Sequence, residues 1–160
     1  MTLNIRKPGL LTTVQDLGRF GFRRLGINPN GVMDITAART INILLGNDEN
    51  APVLEMHFPA SEFEFEEECF FAIGGADFDA ELDDSPIANW SVHSASQGAV
   101  LRFTKPVLGN RAYISVRDGF DVEDWLGSSS TNLTAGFGGF GGRQLKKGDR
   151  IPVSPSSDIP

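Results

Sequence analysis

Beyond Pro52 the chain changes period, and this change constrains the fold more than any other feature. Phe63 and Phe65 alternate with Glu62, Glu64 and Glu66; Phe78, Ala80 and Leu82 alternate with Asp77, Asp79, Glu81 and Asp83. Alternation at period two sends successive side chains to opposite faces of an extended strand, so each run predicts a strand with one buried face. Cys69 to Ile73 is apolar throughout and reads as a buried strand broken by Gly74-Gly75. Further strands fit Ile87 to Val92, Ala99 to Phe103, Arg111 to Val116 and Arg150 to Val153. Turn residues separate them at Asp83-Asp84-Ser85-Pro86, Ser96-Gln97-Gly98, Leu108-Gly109-Asn110, Asp118-Gly119 and Lys147-Gly148-Asp149. Short strands with a turn about every 8–12 residues predict a mainly β barrel or sandwich.

Before Pro52 the signals are mixed. Leu3 and Ile5 alternate with polar neighbours and predict a first strand, closed by Pro8-Gly9. Thr12 and Gln15 stand in capping-box spacing, which predicts a helical turn over Thr13 to Leu17 stopped at Gly18. One main helix is expected over Ile35 to Leu45. Asp34 is its N-cap, Ala38, Ile41 and Leu45 form its apolar stripe, and Gly46 is its stop. Arg19, Arg23 and Arg24 lie close together among glycines and phenylalanines and form the basic cluster of this half. There is no internal repeat and no linker, so residues 1–153 read as a single lobe. The Ser/Pro-rich residues 154–160 read as a frayed tail.

Charge and composition narrow the function. The formal net charge is −7, from 14 basic and 21 acidic residues, which argues against nucleic-acid binding through a general basic surface. No apolar run reaches the roughly 18 residues of a membrane span, and Met1 to Gly9 contains no apolar leader core. A cytoplasmic location is therefore expected. A single cysteine, Cys69, excludes an intrachain disulfide and a thiolate zinc cage; within Cys69-Phe70-Phe71 it reads as an inert core residue. His57 and His93 have no partners at ligand spacing, so no metal site is expected.

Two motifs fail on inspection. Asp77 to Asp83 does not make a calcium loop, because Leu82 stands where glycine is needed and Ala88 where a bidentate Glu belongs. These carboxylates read as the solvent face of a strand. Asp77 is the exception, a lone strand-end carboxylate able to accept a substrate proton or N–H. Gly136 to Gly141 matches G-x-G-x-x-G, but no apolar strand enters it and no amphipathic helix leaves it, so it is not a dinucleotide site. With five glycines, Gly136 to Gly142 is expected to be mobile, to expose Phe137 and Phe140, and to order on contact with a ligand or partner. Ser128-Ser129-Ser130-Thr131 lacks a nucleophile elbow; its hydroxyls suit hydrogen bonding to a carboxylate or ureido group.

Taken together, the motifs resemble a known family. Pro8 to Arg19, reading P-G-L-L-T-T-V-Q-D-L-G-R, resembles the opening of allophanate hydrolase subunit 2, also called the C component of 5-oxoprolinase. That family includes KipA-type proteins and the carboxyltransferase part of urea carboxylase. Gly31-Val32-Met33-Asp34, Leu44-Leu45-Gly46-Asn47, Leu54-Glu55 and Gly74-Gly75-Ala76-Asp77-Phe78 fit it in the same order. So do Leu126 to Thr131, Gly138 to Leu145 and Gly148-Asp149. The resemblance implies a cyclophilin-like β-barrel. Family members run to about twice this length, so the chain corresponds to their N-terminal half. Arg117-Asp118 departs from the bland strand end usual in the family.

The resemblance also implies a function. The leading expectation is a subunit, or a lobe of one, of an ATP-dependent complex that opens 5-oxo-L-proline to L-glutamate. It would act with a KipI-like partner (the B component of such complexes) and possibly a third subunit, and would be inactive alone. ATP is used by the complex, and no cofactor is bound by this chain. The alternatives are a biotin-dependent carboxyltransferase module of the urea carboxylase type and a non-catalytic module that docks and regulates a KipI-like protein. Asp77 is the candidate catalytic residue. Gln15, Arg19, Ser128, Ser130, Thr131 and Arg143 are the candidate substrate-binding residues. Lactam opening builds negative charge on a carbonyl oxygen, and arginines and hydroxyls are the donors that stabilise it. Against these roles stand structural ones. Gln15-Asp16 can cap a helical turn, and Arg143 can pair with Asp149.

Overall fold

A computed structural model describes residues 1–155. The elements in chain order are β1 (Thr2–Lys7), β2 (Thr12–Gln15), a 3-10 turn (Arg23–Leu25), α1 (Ile35–Leu45), β3 (Val53–Met56), β4 (Glu62–Phe65), β5 (Cys69–Asp77), β6 (Ala80–Leu82), β7 (Ser85–Pro86), β8 (Val92–Ala95), β9 (Val100–Phe103), β10 (Leu108–Val116) and β11 (Arg150–Pro152). The fold is mainly β with one main helix, as expected. The strands form two antiparallel sheets, ordered β11-β1-β4-β9-β6-β7 and β2-β3-β10-β5-β8, and do not close into one barrel.

Strand alternation assigns the two faces of the second sheet. Leu54 and Met56 of β3, Phe71 and Ile73 of β5, and Ala112, Ile114 and Val116 of β10 enter the main core, where they meet Leu3, Ile5, Phe63 and Phe65 of the first sheet. The intervening residues Val53, Ala72 and Tyr113 face the other way and form a smaller core with Ala37, Ala38, Ile41 and Leu45 of α1. The helix has the expected bounds. The Asp34 carboxylate accepts from the Ala37 N–H at 2.9 Å, and Gly46 closes the helix at φ 76°.

Several expectations are corrected. Thr13 to Leu17 is not a helical turn: Thr12 to Gln15 is strand β2, paired in register with Val53 to Met56. Gly74-Gly75 does not end its strand; β5 continues to Asp77. A Cβ on Gly74 would lie 2.7 Å from Ile41 and Trp90, and one on Gly75 would lie 2.5 Å from the Arg111 carbonyl, so the glycines admit close neighbours rather than breaking the strand. Leu108-Gly109-Asn110 is not a turn but the start of β10, with a register shift between Leu108 and Ala112. Ile87 to Val92 is not one strand, since β8 begins only at Val92. Glu62 is not on the solvent face; it is buried with Arg102 at 3.3 Å, Lys7 at 3.5 Å and Arg6 at 3.7 Å. At the tail, the Ser154 N–H donates to the Gly119 carbonyl at 2.9 Å, so Ser154 is held; residues 156–160 of the expected frayed tail lie outside the described residues.

Candidate functional site

Five of the seven sequence-derived site residues come together in one buried polar knot. Its centre is Asp16, on the loop just after β2. One Asp16 carboxylate oxygen accepts from the Ser128 and Ser130 hydroxyls, both at 2.6 Å, and from the Gly18 N–H at 2.9 Å. The other accepts from the Ser129 N–H at 2.7 Å. Four donors satisfy the buried carboxylate, so its burial leaves no acceptor unpaired. Thr131 is bound in the same way: its N–H and its hydroxyl both donate to the Val14 carbonyl. Gln15 donates to the Thr13 hydroxyl at 3.0 Å and to the Thr131 carbonyl at 3.3 Å.

Arg19 is 1% exposed, and its guanidinium lies against a pair of aromatic rings, Trp125 at 5.2 Å and Phe137 at 5.0 Å. Its Nε donates to the Trp125 carbonyl at 2.7 Å, and its Nη2 donates to the Ser128 carbonyl at 2.8 Å and the Ser130 carbonyl at 3.3 Å. Nη1 is buried without a partner, as is Oε1 of Gln15. Asp16 and Arg19 do not touch. Ser128 stands between them, donating to one through its hydroxyl and accepting from the other through its carbonyl.

The glycine loop closes over this knot, which corrects the expectation of a mobile segment. Gly136 and Phe137 donate to the Asn132 carbonyl, and Gly142 donates to the Gly138 carbonyl at 2.8 Å. A Cβ on Gly138 would sit 2.1 Å from the Ser130 carbonyl oxygen, and one on Gly139 would sit 2.1 Å from the Thr131 hydroxyl. The glycines are therefore there for contact. Phe137 meets Trp125 at an interplanar angle of 58° with centroids 4.5 Å apart, and Phe140 packs against the main core; neither is an exposed handle.

The other two residues lie elsewhere. Arg143 makes a bidentate pair with Asp149, at 2.7 and 2.9 Å, so the alternative pairing read from the sequence is the one formed. This contact raises the Arg143 pKa and holds the Asp149 carboxyl below its usual range. Asp77 is exposed at the end of β5, and its carboxylate accepts from the Asp79 N–H at 2.9 Å. No three metal-ligating side chains converge among the described residues.

Next to Asp77 the structure opens a cleft that sequence reasoning passed over. Its volume is about 290 Å³, and Met33, Asp34, Gly75, Ala76, Arg111 and Tyr113 are among its walls. Glu55 and Tyr113 sit directly opposite one another in the β3–β10 pairing, so both project to the helix-side face. One Glu55 oxygen accepts from the Tyr113 hydroxyl at 2.7 Å and from the Met33 N–H at 2.8 Å. The other lies 3.7 Å from Arg111 Nε, beyond hydrogen-bond range, and that Nε is buried without a partner. Burial, reinforced by the Glu55 carboxylate, pushes the Tyr113 phenol well above its ordinary pKa, so Tyr113 stays protonated and acts as a donor. Arg111 and Tyr113 thus stand in the cleft wall, with Glu55 as their shared partner: a loosely spaced ion pair to Arg111, whose guanidinium can donate to a ligand oxygen. Glu55 lies in the quoted Leu54-Glu55 motif and Tyr113 is the sole tyrosine; these were the available signals. Their convergence was invisible without the register.

Comparisons with known proteins agree with this architecture. Residues 25–160 match the family described as carboxyltransferase domain, subdomain A and B. The chain is 44% identical over 155 residues to the C component of 5-oxoprolinase from Escherichia coli K12, covering 96% of this chain and 50% of that protein. It is 37% identical over 161 residues to urea amidolyase of Lachancea kluyveri, covering 98% of this chain and 9% of that one. The crystal structure of the K. lactis urea amidolyase superposes with a TM-score of 0.92 at 36% identity, over 98% of this chain and 10% of that chain. The chain thus spans about half the length of the 5-oxoprolinase component it matches and about a tenth of the amidolyases.

Proposed function

The chain belongs to the carboxyltransferase domain, subdomain A and B, family, and from that premise we propose that it works as part of a 5-oxoprolinase-type hydrolase complex. The observation that carries this reading is the 44% identity to the C component of 5-oxoprolinase across nearly the whole chain. The reaction is ATP-driven opening of a lactam: water adds to the ring carbonyl, the C–N bond breaks, and an amine and a carboxylate result. Arg111 supplies the donor for the ring carbonyl oxygen as charge gathers on it, and Glu55, its ion-pair partner, orients it. Tyr113 and the Met33 N–H fix the Glu55 carboxylate in place. Asp77, at the rim, remains in reach of the same cleft. In this reading Gln15, Arg19, Ser128, Ser130 and Thr131 hold the scaffold that carries the cleft, because their main donors already have protein partners. The complex includes a KipI-like partner and a third subunit, operates in the cytoplasm, and takes its ATP outside the Glu55 cleft.

A second reading, biotin-dependent carboxyl transfer, draws on the amidolyase matches and their TM-score of 0.92. A ureido group likewise offers a carbonyl oxygen to Arg111. Reconstitution separates the two. Purified chain, alone and with KipI-like and third subunits, is incubated with ATP and 5-oxo-L-proline, and glutamate is measured. Turnover by the complex and none by the chain alone is the expected result. Carboxyl transfer from carboxybiotin to urea, without glutamate formation, would establish the second reading instead.

A further inference from the structure

A second cleft lies on the other side of the polar knot, in the loop that follows β2. Its volume is about 280 Å³, and its walls are Arg19, Phe20, Gly21, Arg23, Arg24 and Pro29. Three of six lining residues are arginines and none is acidic. This is unusual on a chain of net charge −7, where Arg6, Arg39, Arg102, Arg111, Arg143 and Arg150 all stand in ion pairs. Among the described residues Arg23 and Arg24 enter no ion pair and no side-chain hydrogen bond, and both are exposed. The 3-10 turn that carries them buries no residue, so packing does not explain their presence.

The loop is nonetheless built. The Arg19 N–H donates to the Pro29 carbonyl at 2.6 Å, the Leu25 and Ile27 N–H groups donate to the Phe22 carbonyl, and Gly26 closes the turn at φ 78°. Gly21 sits at φ 95°, where L side chains rarely go, and a Cβ there would meet nothing within 4 Å. Arg19 beneath also lines the cleft, is almost fully buried, and has an Nη1 with no protein partner. Phe20 is 69% exposed at the rim.

We propose that this three-arginine cleft binds the phosphoryl group of a small phosphorylated molecule, whose organic part rests on Phe20 and Pro29. Guanidinium forks match phosphate oxygens in bidentate fashion, and a concentration of positive charge without a counter-charge favours a doubly charged group over a single carboxylate. The site is separate from the Glu55 cleft and shares no lining residue with it.

The test is titration of the chain at low ionic strength with inorganic pyrophosphate, ADP and 5-oxo-L-proline, read by isothermal calorimetry. The parent and Arg23→Ala/Arg24→Ala are compared, with melting temperature as the folding control. The double variant is expected to keep its melting temperature, since both side chains are exposed and enter no ion pair or side-chain hydrogen bond. Its pyrophosphate affinity should fall about tenfold or more. ADP is expected to bind the parent more tightly than pyrophosphate does, and Phe20→Ala should remove that advantage. No saturable pyrophosphate binding to the parent, or equal affinity in the double variant, overturns the proposal. If 5-oxo-L-proline binds as tightly as pyrophosphate and is equally sensitive to the double variant, the site is a carboxylate site and the phosphoryl assignment is wrong.

Discussion

The buried knot around Asp16 and the open cleft beside Glu55 use the same groups to opposite effect. Each combines one carboxylate with one arginine. In the knot both Asp16 oxygens are filled by protein donors, and Arg19 bonds three carbonyls through Nε and Nη2 and lies against two aromatic rings. In the cleft one Glu55 oxygen is held by Tyr113 and Met33, while the other faces Arg111 across 3.7 Å. A saturated carboxylate stabilises a fold; one held on a single side, with a donor nearby that it does not reach, is positioned for something else. Residue type alone does not distinguish them, but partner saturation does.

The sharpest way to break this comparison is Asp16→Ala. It leaves two buried hydroxyls and two N–H groups without their acceptor, so a loss of about 3–5 kcal/mol is expected in chemical denaturation. A midpoint close to the parent's would mean that the knot is not what holds the loop to β2. Tyr113→Phe should come next, at about 1–2 kcal/mol, because the Glu55 carboxylate and the Asp34 N–H both lose a partner. The same variant should lower turnover in the reconstituted complex by more than its stability loss explains. Asp34→Ala removes the helix cap at the rim of the cleft and should cost about 1 kcal/mol; coincident melts would show that the cap is irrelevant.

Arg143→Ala tests the third carboxylate–arginine pair. At neutral pH the loss should be about 1 kcal/mol or less, since the Arg143 side chain is about one-third exposed and screened by solvent. Arg143 depresses the Asp149 pKa, so the pair stabilises the fold above the unfolded carboxylate's value of about 3.9. That contribution disappears as pH falls through the lower folded value, and parent and variant should then converge. A constant gap across the acid range would show that Arg143 acts through packing on Phe140 instead. The smallest effect should be Arg111→Ala. Its Nε already lacks a hydrogen bond, so stability should change by less than about 0.5 kcal/mol while activity in the complex falls sharply. A large destabilisation would make the cleft a second knot, and the contrast would fail.

Cys69 shows how a local reading can suffice. It lies in an apolar run, and burial pushes its thiol up to about 12, as an inert core residue requires. The helix was equally legible. Its cap, its stripe and its stop are all within a dozen or so consecutive residues, and local chemistry decides such elements. The alternation of Phe63 and Phe65 likewise identified a buried face without knowledge of the partner strand.

Local pattern was enough for the mainly β class, the helix, the inert thiol and the family resemblance, since each rests on neighbours in the chain or on motifs in order. Tertiary structure decided the rest. Thr12 to Gln15 carries a helix-start pattern, yet pairing with Val53 to Met56 makes it a strand, because a ladder of backbone hydrogen bonds outweighs a local preference of a fraction of a kcal/mol per residue. The glycine loop is held rather than mobile because Ser130 and Thr131 leave room for no Cβ against it. Glu55 meets Tyr113, and Asp16 meets Ser128, across 58 and 112 residues of chain. Nothing local to either partner encodes those meetings; register and sheet order do, and these emerge only when the whole core packs at once.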